Sequence, residues 1–318
     1  MLELRKDYIL NRWVIIAESR ADRPLEFEKV TTEKEGQVCY FCPGNENLTP
    51  PETGRIEEDG SWIIRWFPNK FPAATLEKPF ALTGKGFTKR SDSYGCHEVI
   101  AETPNHEMQL ADMPVPHIIR VLTVYAQRIT YLQKKKGIQY VQVFKNHGRD
   151  AGTSLIHSHS QLVALPIVPP AVDEEMRASG RYPRCPYCSI IRQEQKSPRK
   201  IFENESCIAL APYASRFHYE AWIFPKRHVG SITEMKPAEL EDMASILKQL
   251  LQRLKSINTS YNYYLHYAPR VRPSQKKLHF HIELIPRLSL FAGLEYGSGI
   301  TLNSVSPETA VRFYQDTL

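Results

Sequence analysis

The chain carries one ordered set of residues twice, and that repetition restricts its fold more than any other feature. Cys39-Tyr-Phe-Cys42, His106 and His157-Ser-His159-Ser-Gln161 come first; Cys185-Pro-Tyr-Cys188, His228 and His279-Phe-His281-Ile-Glu283 follow in the same order. His106 to His157 and His228 to His279 both span 51 residues. The cysteine-to-histidine gaps differ, 64 against 40, so the first copy holds an insertion, placed in the Gly- and Lys-rich stretch 77–92. A shared landmark order with one matching interval reads as a duplicated unit.

Hydrophobic periodicity repeats as well. After Asp112-Met-Pro114, Ile118, Leu122, Tyr125, Ile129 and Leu132 recur at helical spacing. After Lys236-Pro237, Leu240, Met243, Leu247, Leu250, Leu251 and Leu254 do the same. Proline suits a helix start because its φ is already helical and its missing N–H has no partner there. Each helix leads into a β-rich run, Gln139 to Phe144 and then Tyr261 to Tyr267. A turn-rich loop and a second strand follow, His157 to Leu165 and His279 to Ile285. The expected fold is α+β, with an antiparallel sheet and packed helices in each half. The halves divide as residues 1–172 and 173–318, with Pro166 to Ser179, rich in proline, as their connection.

Composition removes several classes of function. Hydrophobic residues make up 42% and charged residues 24% of 318 positions, as in ordinary soluble enzymes. The apolar runs are too short to span a membrane, and the stretch from Met1 to Leu10 lacks the apolar core of a signal peptide. A cytoplasmic location is expected. The net charge of +6 suits phosphate-bearing small substrates. No Lys/Arg run interleaved with aromatics marks a nucleic-acid surface. In a reducing compartment the two C-x-x-C pairs read as metal ligands or a redox dithiol, not disulfides. Cys96 and Cys207 read as small buried hydrophobes.

Zinc takes thiolates and imidazoles in a tetrahedron, and closed sites have four protein ligands. The two expected sites are Cys39, Cys42, His106 and His157, then Cys185, Cys188, His228 and His279. A thioredoxin-like pair would need one C-x-x-C at a helix start and no histidine partners. A zinc ribbon on nucleic acid would leave the H-x-H pattern unexplained.

Residues two apart on a strand face the same way, so a metal-bound His157 places His159 beside it, anchored but not necessarily ligated. A neutral imidazole so fixed can attack the α-phosphorus of a nucleotide, and Gln161, on the same face, can donate an amide N–H to a phosphoryl oxygen. The second copy has Glu283 in place of Gln161, and a carboxylate repels a phosphate. The first copy is therefore the expected catalytic one, with His281 packed or joining a metal with Glu283. The loop from Asn146 to Ser154 holds two glycines, hydroxyls and amides, ingredients of a phosphate cradle; its counterpart from Pro269 to Lys277 has prolines and no glycine. His97, His117, His147, His218 and His266 are expected in surface or core roles, with His147 set apart by its place in the cradle loop.

The duplicated order C-x-x-C, middle His and H-x-H-x-Q resembles the galactose-1-phosphate uridylyltransferase family of the histidine-triad superfamily over nearly the whole chain. Glu18 to Pro24 resembles the family's arginine-bearing arm, and Trp66-Phe-Pro-Asn69-Lys-Phe71 its base and ribose segment. The resemblance implies His159 as nucleophile, Gln161 as stabiliser, and Asn146, Gly152 and Ser154 around the phosphates. It also implies Asn69 and Phe71 at the nucleoside, and a homodimer completed by Arg20, Arg23 and the segment Phe291 to Tyr296. The implied reaction is ping-pong: uridylyl leaves UDP-glucose for His159, then passes to galactose 1-phosphate or another hexose 1-phosphate. His157-Ser-His-Ser-Gln161 departs from the family's His-Pro-His-Gly-Gln. That departure, the two complete C-x-x-C sites and the tail from Gly297 to Glu308 resemble the ADP-glucose phosphorylase branch. An ADP-sugar donor with phosphate as acceptor is the alternative. A nucleotide hydrolase and a zinc-stabilised nucleotide-binding scaffold are the remaining ones.

Overall fold

A computed structural model describes residues 2–20, 38–269 and 278–316. In chain order its strands and helices are β1 (Leu2–Lys6), β2 (Trp13–Ala17), β3 (Gly54–Glu58), β4 (Ser61–Pro68), β5 (Cys96–Ala101), α1 (Val115–Leu132), β6 (Tyr140–His147) and β7 (His159–Leu165). Then come α2 (Pro170–Gly180), α3 (Pro186–Glu194), β8 (Lys200–Glu203), β9 (Cys207–Leu210), β10 (Ala221–Pro225), α4 (Pro237–Ser256), β11 (Tyr261–His266), β12 (His281–Pro286), α5 (Gly293–Ser298), β13 (Thr301–Asn303) and α6 (Pro307–Gln315).

Among the described residues, ten strands form one antiparallel sheet in the order β3-β4-β5-β7-β6-β11-β12-β10-β9-β8. The order shows the duplication directly. In the first half a helix joins β5 to β6, and β7 returns between those two strands. In the second half a helix joins β10 to β11, and β12 returns between them. The halves meet where β6 pairs with β11, Asn146 opposite Asn262. A smaller sheet, β1-β2-β13, brings the two ends of the chain together.

Alternation along the strands splits the large sheet into two faces. Ile100, Val143, Leu162, Tyr263 and Ile282 face α1 and α4, and all belong to one buried core with Leu122, Ile129, Leu247 and Leu251. The other face carries His97, Gln161 and Phe144. On it Gln161, Val163 and Leu165 of β7 are half-exposed, whereas every residue of β12 is buried. The first face is packed against the helices; the second is half-exposed along β7 and at Asn262 and Tyr264 of β11, and closed at β12.

Two expectations need correction. Pro166 to Ser179 is no plain connection, because α2 begins at Pro170 with proline in its first turn and buries Val172 and Met176 in the core. The strands bearing the H-x-H pairs begin at the second histidine, so His157 and His279 stand just before them. No helix among the described residues is long and apolar enough to cross a membrane.

Leu122 is fully buried between sheet and helices. Leu122→Ala should cost about 2–5 kcal/mol, read from urea unfolding midpoints, and leave the metal content of the folded protein unchanged.

Candidate active site

Histidine carries one exchangeable proton when neutral, and its neighbours decide which nitrogen holds it. The side chain of His157 is buried, and its Nε2 lies 2.7 Å from the Thr103 carbonyl. A carbonyl only accepts, so Nε2 donates and Nδ1 keeps its lone pair. That Nδ1 lies 3.5 Å from Cys39 Sγ and 3.6 Å from Cys42 Sγ, while His106 Nδ1 lies 3.4 Å from Cys42 Sγ. A tetrahedral ion with metal–sulfur bonds near 2.3 Å and metal–nitrogen bonds near 2.0 Å separates sulfur from nitrogen by about 3.5 Å. The four atoms lie within 4.8 Å of one another and fit such an ion.

The second copy repeats the device. His279 Nε2 donates to the Pro225 carbonyl at 2.8 Å, and Nδ1 faces Cys185 at 3.9 Å and Cys188 at 3.5 Å. His228 Nδ1 stands 3.5 Å from Cys188 Sγ. The fold thus brings together both four-residue groups read from the sequence, and each could hold a metal.

His159 is locked the other way round. Its Nδ1 donates to the carbonyl of His157 at 2.8 Å, so the lone pair sits on Nε2. Burial, and then the nearby Lys145 charge, push its pKa down to about 4 against the hydrogen bond to His157, keeping the ring neutral at pH 7. The edge of Phe41, between the two cysteines, packs against it with ring centres 5.2 Å apart.

The intervening serines point to the other face. Ser158 and Ser160 both donate to the carboxylate of Glu102, which is fully buried and paired with Lys145. Tyr125 donates to the same carboxylate at 2.9 Å, and Lys145 reaches the His159 carbonyl at 3.0 Å. Burial disfavours the Glu102 charge, but the Lys145 pairing and the hydroxyl hydrogen bonds outweigh it and hold the carboxyl below its ordinary range. Neither Glu102 nor Lys145 was singled out from sequence. A hydrophilic pair at positions alternating with β-rich apolar residues was the available signal.

Gln161 Oε1 lies 2.9 Å from His97 Nε2. Asn69 Nδ2 stands 3.2 Å from that nitrogen, and Asn69 Oδ1 accepts from the Phe71 backbone at 2.8 Å. Phe71 itself is 83% exposed. Asn146 accepts from Asn262 at 2.8 Å and lines a cleft of about 400 Å³ with Arg12, Gln142, Phe144 and Arg287. Gly148 and Gly152 take φ of 80° and 83°, which side chains rarely adopt, and a Cβ on Gly148 would collide with Ser260. His147 stacks on Tyr261, with ring centres 4.6 Å apart. Ser154 is exposed in this loop. Arg20 ends an exposed turn, Glu18–Arg20, and the described contacts do not bring it to β7. Arg23 and residues 270–277 of the second-copy loop lie outside the described residues.

In the second copy the same strand face is closed. His281 is fully buried between the rings of Tyr187, Trp222 and Phe224, with centres 5.3, 5.7 and 4.9 Å away. Its Nε2 meets Glu283, which Arg216 holds at 2.7 Å. Burial acts against the Glu283 charge, yet Arg216 and the neighbouring histidines keep it ionised. Glu175, His266, His281 and Glu283 form a third close group of possible ligands. Arg216 already neutralises part of it.

With this geometry in hand, comparison with known proteins is specific. A family described as "Galactose-1-phosphate uridyl transferase, N-terminal domain" matches residues 2–169, and one described as a domain of unknown function (DUF4921) matches residues 115–314. The chain belongs to the galactose-1-phosphate uridyl transferase family. It is 34% identical to an ADP-glucose phosphorylase of Arabidopsis thaliana, over 99% of this chain and 92% of that protein. It is 29% identical to a galactose-1-phosphate uridylyltransferase of Thermotoga maritima, over 100% and 99%. A crystal structure of an Arabidopsis thaliana ADP-glucose phosphorylase with bound ADP-glucose superposes over 100% of both chains, with a TM-score of 0.87 and 32% identity. A structure described as uridylyltransferase covers 99% of this chain and 97% of its own, with a TM-score of 0.77 and 30% identity. The chain is an enzyme of the nucleotidyltransferase type within the histidine-triad superfamily.

Breaking a buried pair leaves an uncompensated charge, so Lys145→Met should destabilise by about 3–5 kcal/mol. Adding Glu102→Gln should restore much of that loss in urea unfolding. The folded carboxyl of Glu102 is depressed, so its contribution is complete above the unfolded value of about 4.3. It is lost as pH falls through the folded value. Unfolding midpoints of the parent and of Glu102→Gln should therefore converge on acidification; a constant gap would contradict the charged state assigned to Glu102.

Proposed function

We propose that the chain is an ADP-sugar phosphorylase: an adenylyltransferase that takes the nucleotide from an ADP-sugar and passes it to inorganic phosphate. The observation that carries the chemistry is His159, whose Nδ1–H is tied to a carbonyl and whose Nε2 lone pair is left for attack. Nε2 bonds to the α-phosphorus while the bond to the sugar-phosphate oxygen breaks, releasing sugar 1-phosphate. Phosphate oxygen then attacks the same phosphorus, the nitrogen–phosphorus bond breaks, and ADP leaves with His159 restored. Gln161 donates an amide N–H to the phosphoryl oxygens without adding charge. Asn146, Gly152 and Ser154 surround the phosphates, and Asn69 with the exposed ring of Phe71 receives the nucleoside.

The preference for adenine over the uridine expected from sequence rests on three supports. Identity and structural likeness are higher to the ADP-glucose phosphorylase than to the uridylyltransferases compared above. The His-Ser-His-Ser-Gln sequence belongs with that likeness, and both Cys/His groups are complete. The uridylyl reading keeps the family description and the Thermotoga maritima relative in its favour.

Zinc would be held by Cys39, Cys42, His106 and His157, and by Cys185, Cys188, His228 and His279. Bound in closed four-ligand sites, it would fix loops and leave the chemistry to His159. The units 1–172 and 173–318 are taken as the two copies. A homodimer, bringing Arg20, Arg23 and the segment Phe291–Tyr296 to the neighbouring site, is supported by the exposure of Leu290 and Tyr296, 88% and 80%. Sedimentation at the mass of one 36.7 kDa chain would refute it.

Incubation with ADP-glucose or UDP-glucose labelled in the α-phosphate, followed by acid-free trapping, should label the polypeptide from ADP-glucose. Labelling from UDP-glucose alone would restore the uridylyl reading, and rapid release to water without phosphate would indicate a hydrolase. His159→Ala should abolish the adduct and keep about two metal ions per chain, one for each four-ligand group. His157→Ala should lose one ion and unfold at lower urea.

A further inference from the structure

A carboxamide side chain can present either its oxygen or its nitrogen to a ligand, and the two orientations differ by a half-turn. For Gln161 only one is useful, since a phosphoryl oxygen needs a donor. His97 supplies the missing constraint. Its Nδ1 lies 3.1 Å from the backbone nitrogen of Ala73. A backbone N–H only donates, so Nδ1 accepts and the neutral ring carries its proton on Nε2. Nε2–H then donates to Gln161 Oε1 at 2.9 Å. Burial keeps the ring neutral, lowering its pKa against the pull of that hydrogen bond. Asn69 Nδ2 cannot take the same nitrogen, because its own Oδ1 is engaged by Phe71 and its remaining groups are donors.

Strand pairing gives the direction. His97 stands opposite Val163, two residues past Gln161, whereas His159 stands opposite Ala101. The pull on Oε1 is therefore directed away from His159, which turns the Gln161 amide nitrogen toward it. We propose that His97 is a positioning residue that fixes the Gln161 carboxamide with its N–H groups toward the phosphorus held at His159. The proposal rests on the nucleotidyl-transfer reading for its effect on rate; its geometric half stands apart from it.

The test uses the full-length protein and His97→Leu, His97→Gln, Gln161→Ala and the double variant His97→Leu/Gln161→Ala. A hydrogen bond of this kind is worth about 1 kcal/mol, or a factor of roughly 3 to 10 in rate. Single-turnover labelling from ADP-glucose should slow by that factor in His97→Leu, with donor affinity little changed and metal content intact. His97→Gln, which can still donate to Oε1, should recover most of the rate. In the Gln161→Ala background, His97→Leu should cause no further loss. A His97→Leu enzyme as fast as the parent, or a loss that multiplies fully with that of Gln161→Ala, overturns the proposal. Histidine-selective nitrogen-15 NMR supplies the arm independent of activity. His97 should show the neutral Nε2–H form, with a shift that moves in Gln161→Ala. A proton on Nδ1, or indifference to Gln161→Ala, overturns the proposal even if no adduct ever forms, whereas the expected spectrum without an adduct sinks only the transfer reading.

Discussion

Two backbone carbonyls decide what the histidines of the first copy can do. Thr103 O takes the proton-bearing nitrogen of His157, and His157 O takes that of His159. The rings alternate as a result: one turns Nδ1 to the cysteines, the other keeps its lone pair on Nε2. Side-chain identity alone could not achieve this, because imidazole tautomers differ little in energy in water and either nitrogen can bind a metal. The backbone accepts hydrogen bonds at fixed points, so the proton positions follow from the path of the chain into β7. The remainder of the site is arranged to keep that path in place.

Beneath it lies the buried Glu102–Lys145 pair. An ion pair in a core carries a desolvation penalty that its attraction alone seldom offsets, and it persists where further hydrogen bonds satisfy the remaining atoms. Here Ser158, Ser160 and Tyr125 satisfy the carboxylate, while Lys145 spends a donor on the His159 carbonyl. The two serines of His-Ser-His-Ser-Gln thereby acquire a physical reason. They tie β7 to a fixed charge from the helix side while the histidines and Gln161 occupy the other side.

Much of this was legible in the sequence because metal chemistry and sheet alternation each demand particular residue types at particular spacings. Cys39, Cys42, His106 and His157 announce themselves by type and order, and His159 by its place two residues on, although β7 begins only at His159. His97 gave no such signal: its partner Gln161 is 64 residues away, joined only by the register of β5 against β7. Glu102 and Lys145 carry little sequence signal of their own, because charged residues are usually solvated and only the fold shows them enclosed. The α2 helix was hidden by Pro169 and Pro170, which read as breakers in a linker yet occupy the one place in a helix where proline fits. Arg23 falls outside the described residues.

The two copies show how duplication can divide labour without altering the backbone plan. His281 has the same lock as His159, its Nδ1 bound to the preceding histidine's carbonyl at 2.9 Å. What differs is the space in front of Nε2. In the first copy Phe41 packs edge-to-face with His159, and Gln161, Val163 and Leu165 beyond it are half-exposed. In the second, three aromatic rings close over His281, and Glu283 with Arg216 occupies the side where Gln161 stands in the first. A phosphate entering there would have to displace packed rings and face a carboxylate. Replacing Glu283 by glutamine would remove the repulsion but leave the rings, and would leave Glu220 as the remaining carboxylate partner of the Arg216 charge. Packing as well as charge closes the space in front of His281, and no single substitution reverses both.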